Sequence, residues 1–284
     1  MEEMTEQVIR EFWDAYPCGE NLVESLGADH ESFFRRYDAL RYRLEAHILK
    51  RLDAIDFKDK RVLEIGLGQG ADSEQIIRRG ALWSGLDLTS ESISRVSARL
   101  RLRGLPYQRL ELGSALSIPF PDNSFDIVFS HGVLDHVPDV IQAQKEIARV
   151  LKPGGRLIAM LYARRSLNYL LAISVVRRLA VAICYLGRVQ SDGIVGDHIA
   201  NAKRMGLRKY LRMSNFIHAN TNGPFNPYSK VYDLATVKKD FPAFQLEKSS
   251  QDYMHAPPLP VSGFKPLARI LGWHLWVHLI PRKT

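Results

Sequence analysis

A chain of 284 residues suits one α/β domain with additions, or one domain and a small second one. With 46% hydrophobic and 25% charged residues it can bury a sizeable core, which excludes global disorder. The net charge of +8 is uneven: residues 1–163 balance at −4 and residues 164–284 at +12, an asymmetry that points the second part toward an anionic partner or a solvated basic face.

The acidic residues 1–6 carry no apolar signal segment, and Cys18 and Cys184 form no CxxC pair. A cytoplasmic, reducing compartment is therefore expected, with no disulfide framework and no metal site. Residues 1–57 read as a helical cap. A short amphipathic stretch at 8–16 stops at Pro17, and then Phe33, Tyr37, Leu40, Leu44, Ile48, Leu52 and Ile55 recur at steps of three or four, predicting one long helix. Residues 58–163 alternate strand signals (61–65, 82–88, 107–112, 125–130, 156–162) with helices at 71–79, 90–103 and 140–151. That alternation predicts a doubly wound, mostly parallel, Rossmann-like sheet. Residues 164–230 break the pattern and are expected to form a helical, lid-like insertion over the carboxyl edge of the sheet. Residues 231–284 resume it with a helix at 234–240 and strands at 244–251 and 274–280, completing a seven-stranded core.

The first strand runs into Glu64-Ile-Gly66-Leu-Gly68-Gln-Gly70. Glycines there permit a tight turn and a close approach of backbone to ligand, and the next helix aims unpaired N–H groups at the same place. Asp87, ending the second strand, can accept hydrogen bonds from both hydroxyls of an adenosine ribose. Taken alone this segment is ambiguous, because Gly66, Gly68 and Ala71 also satisfy the GxGxxG/A dinucleotide fingerprint, and glycines serving packing alone would look the same.

Further motifs follow in order. They are Gly85-Leu-Asp-Leu88, Gly113-Ser-Ala-Leu-Ser-Ile-Pro-Phe-Pro-Asp-Asn-Ser-Phe-Asp126, Ser130-His-Gly-Val-Leu-Asp-His-Val-Pro-Asp139 and Leu151-Lys-Pro-Gly-Gly155. With Val62-Leu-Glu-Ile-Gly-Leu-Gly-Gln-Gly70 they resemble class I S-adenosylmethionine (SAM)-dependent methyltransferases, particularly the type 11 group that includes ubiquinone and menaquinone C-methyltransferases. The resemblance covers residues 60–162. It implies SAM as cofactor and S-adenosyl-L-homocysteine (SAH) as product. It places Gly66, Gly68 and Gly70 in the loop under the methionine part, with Glu64 beneath, holding the loop or the ammonium group. It gives the ribose to Asp87, the adenine wall to Leu88, an adenine-facing N–H to Ala115 and a methionine-facing carbonyl to Ser130. The family usually has Asp where Ser114 stands; a serine hydroxyl can accept from the adenine amino group, but without charge.

Methyl transfer requires alignment of acceptor and methyl group, and a base where the acceptor must lose a proton. His131 and His136, after the fourth strand, are the candidate bases, and Asp135 is expected to cap the following helix. Tyr16, Tyr42, Asn226 and Tyr228 are candidate substrate contacts. The apolar stretch 166–187, interrupted by Arg177 and Arg178, suits either burial, the commoner case, or peripheral contact with a membrane. It also suits a small, lipophilic or amphipathic acceptor. The competing readings are a nucleic-acid methyltransferase, resting only on the basic second half, and a non-catalytic SAM-fold binding protein. No Asn/Asp-Pro-Pro-aromatic motif follows the fourth strand and no nucleic-acid module is legible, which disfavours the first.

Overall fold

The computed structural model describes residues 5–19 and 29–282. Seven strands form one sheet: β1 (Arg61–Ile65), β2 (Leu82–Asp87), β3 (Arg109–Leu112), β4 (Phe125–His131), β5 (Leu151–Tyr162), β6 (Phe244–Asp252) and β7 (His274–Pro281). Their order is β3-β2-β1-β4-β5-β7-β6. The first five are parallel, and β7 runs antiparallel between β5 and β6. Short apolar strands covered on both faces explain this choice, because a parallel sheet must bury both sides. Val62 and Trp83 enter one core cluster while Leu63, Ile65 and Leu86 enter the other, as period-2 alternation requires.

Strand order reverses between β1 and β4, whose ends are in register at Ile65 and Ser130. Such a switch point opens a crevice at the carboxyl ends of the strands. Helices α4 (Ala71–Arg78), α5 (Ser90–Leu102) and α6 (Val140–Val150) complete the crossovers. Asp139, not Asp135, caps α6: its carboxylate accepts from the Gln142 N–H at 2.9 Å.

Ahead of the sheet lie α1 (Glu6–Ala15), α2 (His30–Leu44) and α3 (His47–Asp53). The single long helix expected from the apolar repeat is thus broken at Glu45-Ala46. Tertiary bonds account for the break. Arg51 pairs with Asp252 on β6 at 2.6 Å and His47 bonds His274 on β7 at 2.9 Å, holding α3 against that edge. Arg41 on α2 is drawn to Asp72 on α4.

The insertion leaves and re-enters the sheet at one place, where Ala163 bridges Tyr232 and the Tyr232 N–H donates to the Tyr162 carbonyl at 2.7 Å. It is helical. A wide-turned stretch, Asn168–Arg177, runs into α7 (Arg178–Leu186), followed by α8 (Gly193–Met205), α9 (Leu207–Tyr210) and α10 (Met213–Phe216). After it comes α11 (Leu234–Asp240), and α12 (Ala268–Leu271) precedes β7.

Candidate active site

The crevice at the switch point is an open cleft whose empty space, mouth included, is about 1300 Å³. The loop after β1 forms its floor. Gly66 has φ +78, and a Cβ there would sit 2.1 Å from the Val133 side chain. Gly68, at φ +50, opens on the cleft, with nothing nearer than the Cys18 Cβ at 3.7 Å. Gly70 does not line the cleft; its missing side chain lets Val96 and Arg99 of α5 close on the loop.

Asp87 is buried at one side of this floor. One carboxylate oxygen accepts from the Leu67 N–H at 2.6 Å; the other accepts from the Thr89 N–H at 2.9 Å and the Thr89 hydroxyl at 2.7 Å. Burial raises its pKa despite these donors. Leu88 and Ala115 line the cleft beside it. Ser114 does not. Its hydroxyl donates to the carboxylate of Glu6 on α1 and accepts from the Leu116 N–H, and Glu6 itself lines the cleft.

A charged group that the sequence reading missed fills the opposite side. Arg41 donates to Asp72 Oδ2 at 2.8 Å, and His131 Nδ1 meets the same oxygen at 2.7 Å. Burial alone would raise the Asp72 carboxyl, but the Arg41 and His131 beside it hold it well below the usual carboxylate range. Asp72 Oδ1 and Arg41 Nε are both buried, and neither has a partner among the described residues. Glu64 lies beneath, accepting from Trp83 Nε1 at 2.7 Å; burial, then the charge of Asp72, pushes its carboxyl up to about 8. Ser130 is fully buried in β4, behind the cleft wall.

The third wall is apolar: Ile9 and Trp13 of α1 face Val133, Val137 and Pro138. His136 stands among them, edge-on to Trp13 at 5.2 Å. Its Nδ1 bonds the Tyr228 carbonyl at 2.8 Å as donor, and Nε2 accepts from the Asn222 amide at 2.7 Å. Burial lowers its pKa to about 4, so the ring is neutral. The neighbouring Asp135 is fully buried with no partner on either oxygen among the described residues, and burial pushes it up to about 8. With the imidazole neutral and the carboxyl protonated, their 3.6 Å approach is not an ion pair.

Asp135 carries a pH consequence. Its folded pKa of about 8 exceeds the unfolded value of about 3.9, so its contribution to stability is fully present below the unfolded pKa and is lost as pH rises toward 8. Glu64 acts in the same direction. The buried histidines, whose pKa values are lowered, act in the opposite direction below about pH 6.5. The test is therefore the difference between variants: from pH 5 to 8 the Tm of Asp135→Asn should change more favourably than that of the parent. Parallel Tm curves for the two would remove Asp135 as a contributor.

The expected substrate contacts are placed elsewhere. Tyr16 stacks on Phe225 at the surface, and Tyr42 donates to the Ala71 carbonyl at 3.1 Å outside the cleft. Asn226 is buried, donating to Thr221 and Ser229, and Tyr228 stacks on His218. None of the four lines the cleft, and neither does any residue of 164–230, so the insertion backs His136 through Asn222 and Tyr228 without forming a lid wall. Glu6, Trp13 and Arg41, from the leading helices, provide the cover instead.

Comparison with known proteins agrees with this geometry. A family profile described as a methyltransferase domain matches residues 63–159. The chain is 35% identical over 118 residues to a probable chloroplastic tocopherol O-methyltransferase of Oryza sativa subsp. japonica, covering 41% of this chain and 33% of that protein. It is similar in fold to the solved geranyl diphosphate C-methyltransferase of Streptomyces coelicolor A3(2), with a TM-score of 0.56 at 13% identity over 98% of this chain and 99% of that one. The chain spans 33–58% of the length of the first curated relatives it matches. The ubiquinone biosynthesis O-methyltransferase of Azoarcus sp. (strain BH72) is matched more fully, at 30% identity over 191 residues, 65% of this chain and 78% of that protein. With the five ordered motifs, the seven-stranded switch-point sheet and this match, the chain belongs to the class I SAM-dependent methyltransferases.

Proposed function

We propose that this chain transfers the methyl group of SAM to a small lipophilic or amphipathic acceptor. The observation that carries the cofactor assignment is the Arg41–Asp72 ion pair lining one side of a cleft whose other side holds the Asp87 carboxylate. A cation and an anion held together at that side fit the α-carboxylate and α-ammonium groups of a zwitterionic amino acid. Asp87 fits a ribose diol, and Gly68 leaves the room that a Cβ would fill. When bound, SAM supplies an electrophilic methyl group on a sulfonium.

At the remaining end, Glu6 provides the carboxylate that Ser114 lacks. We assign the adenine amino group to Glu6. Glu6→Gln should weaken SAM binding about five- to tenfold, the worth of one charge-assisted hydrogen bond at a partly open site. Adding Ser114→Asp to that variant should restore the affinity; calorimetry reading no loss in Glu6→Gln would cancel the assignment.

The acceptor side follows from Ile9, Trp13, Val133, Val137 and Pro138, which admit an apolar body. His136 is the base we assign there. Its neutral ring has the Nδ1–H directed at the Tyr228 carbonyl, so the Nε2 lone pair, held in the free chain by the Asn222 amide, takes the proton of an acceptor that displaces that amide. His131, bonded to Asp72, belongs to the polar end of the cleft. Lipophilic acceptors are also what several relatives' names record: tocopherol, a fatty acid and a ubiquinone precursor pathway. The nucleic-acid reading loses its one support, because the basic residues of 164–284 line no part of the cleft.

The test is untargeted metabolite profiling with purified protein and SAM. A lipophilic compound that gains one CH2 only when both are present is the expected result. SAM binding with no modified compound in any extract would favour a non-catalytic binding protein.

A further inference from the structure

Of the two arrangements open to the apolar stretch 166–187, burial does not describe most of it: in the helix 168–186 about 17% of the residues of its apolar window are buried and the others are half-buried or exposed. Asn168, Ala172, Ile173 and Val181 face the body. Leu171, Val175, Leu179, Ile183 and Leu186, at steps of four and three, are 40–72% exposed and share one side of the helix. A second apolar segment adjoins it. Ala172 packs in one cluster with Val261, and the chain continues from Val261 to Phe264, Leu267 and Ile270, which are 58%, 44% and 67% exposed.

The two segments themselves carry basic charge only: Arg188, Lys265 and Arg269 are exposed, and there is no Asp or Glu in residues 164–191 or 253–284, Asp192 and the Asp233 that faces Arg164 and Arg165 lying just outside them. We infer that this face docks on an anionic lipid bilayer, with the 168–186 helix lying in the plane of the interface. Apolar side chains entering the headgroup boundary beside a basic rim are the physical requirements for such a helix.

Two other arrangements fit the residues less well. A membrane-spanning helix would have to release Arg177, whose guanidinium donates to the Pro257 carbonyl at 2.7 and 2.9 Å and to the Asn220 carbonyl at 3.1 Å, and would place Arg177 and Arg178 in hydrocarbon. A two-fold contact with a second copy would set the same basic rim against itself, with no carboxylate on either segment to neutralise it.

The probe is co-sedimentation of the full chain with phosphatidylcholine vesicles, with and without phosphatidylglycerol. Binding should require the anionic lipid and weaken as salt rises. The triple variant Leu179→Ser, Ile183→Ser, Leu186→Ser should bind such vesicles at least about tenfold more weakly, with SAM affinity and Tm close to the parent. If that variant does not fold, Lys265→Ser with Arg269→Ser gives an independent reading and should also reduce binding. No binding of the parent to anionic vesicles would overturn the inference, as would binding unchanged in both variants. A parent dimer that the triple variant converts to monomer would assign the face to a second copy instead.

Discussion

Asp87→Ala should weaken SAM and SAH binding by roughly 10²–10⁴-fold, because two hydrogen bonds to a charged acceptor are worth about 1.5–3 kcal/mol each. The carboxylate has about four acceptor positions; Leu67 and Thr89 use three, and the Gly68 N–H also interacts with it. The Thr89 hydroxyl has a second partner in Ser92 Oγ at 2.9 Å and can yield its place to the ligand. The substitution has a structural cost as well. It leaves the Leu67 N–H without its acceptor, worth about 1–3 kcal/mol, so Tm should drop while the chain stays folded. Affinity is read by calorimetry and folding by circular dichroism. Parent-like affinity in a folded Asp87→Ala variant would show that the ribose site lies elsewhere.

Arg41→Met should produce the second large effect, on stability and binding together. Arg41 and Asp72 are both mostly buried, and removing one member of such a pair typically costs about 3–5 kcal/mol because the other charge is left uncompensated. SAM binding should fall by at least about 10²-fold, since the cation for the α-carboxylate goes too. The double variant Arg41→Met, Asp72→Asn separates the two losses: stability should recover substantially while binding does not. Acid sensitivity should follow. Asp72 has a depressed folded pKa, so its stabilising contribution is present above the unfolded value of about 3.9 and is lost as pH falls below it. The double variant should lack that portion of the acid-side loss. If Arg41→Met destabilises the fold yet leaves SAM affinity untouched, the pair serves structure alone.

The legible part of this protein was the part written in local chemistry. Strands β1, β2 and β4 are short apolar runs ending in glycine or polar residues, and the Gly66–Gly68 turn and Asp87 follow directly from them. Glu6, Arg41 and Asp72 were not legible. Helical periodicity shows which face is buried but not which polar residue on that face turns toward a ligand, and Asp72, in the first turn of α4, looks like any acid favoured at a helix start. Asn226 and Tyr228 looked like free polar groups until the fold supplied Thr221, Ser229 and His218 as their partners. Residues 166–187 left burial and membrane contact both open for the opposite reason. An apolar run carries no record of whether protein or another phase covers it, and here the exposed side chains face outward.

Isothermal titration of the purified chain with SAM, SAH and NAD tests the central claim most directly. The Asp72–Arg41 and Asp87 ends of one cleft predict one-site binding of SAM and SAH and no heat from NAD. Tight binding of NAD with no response to SAM or SAH would contradict the account.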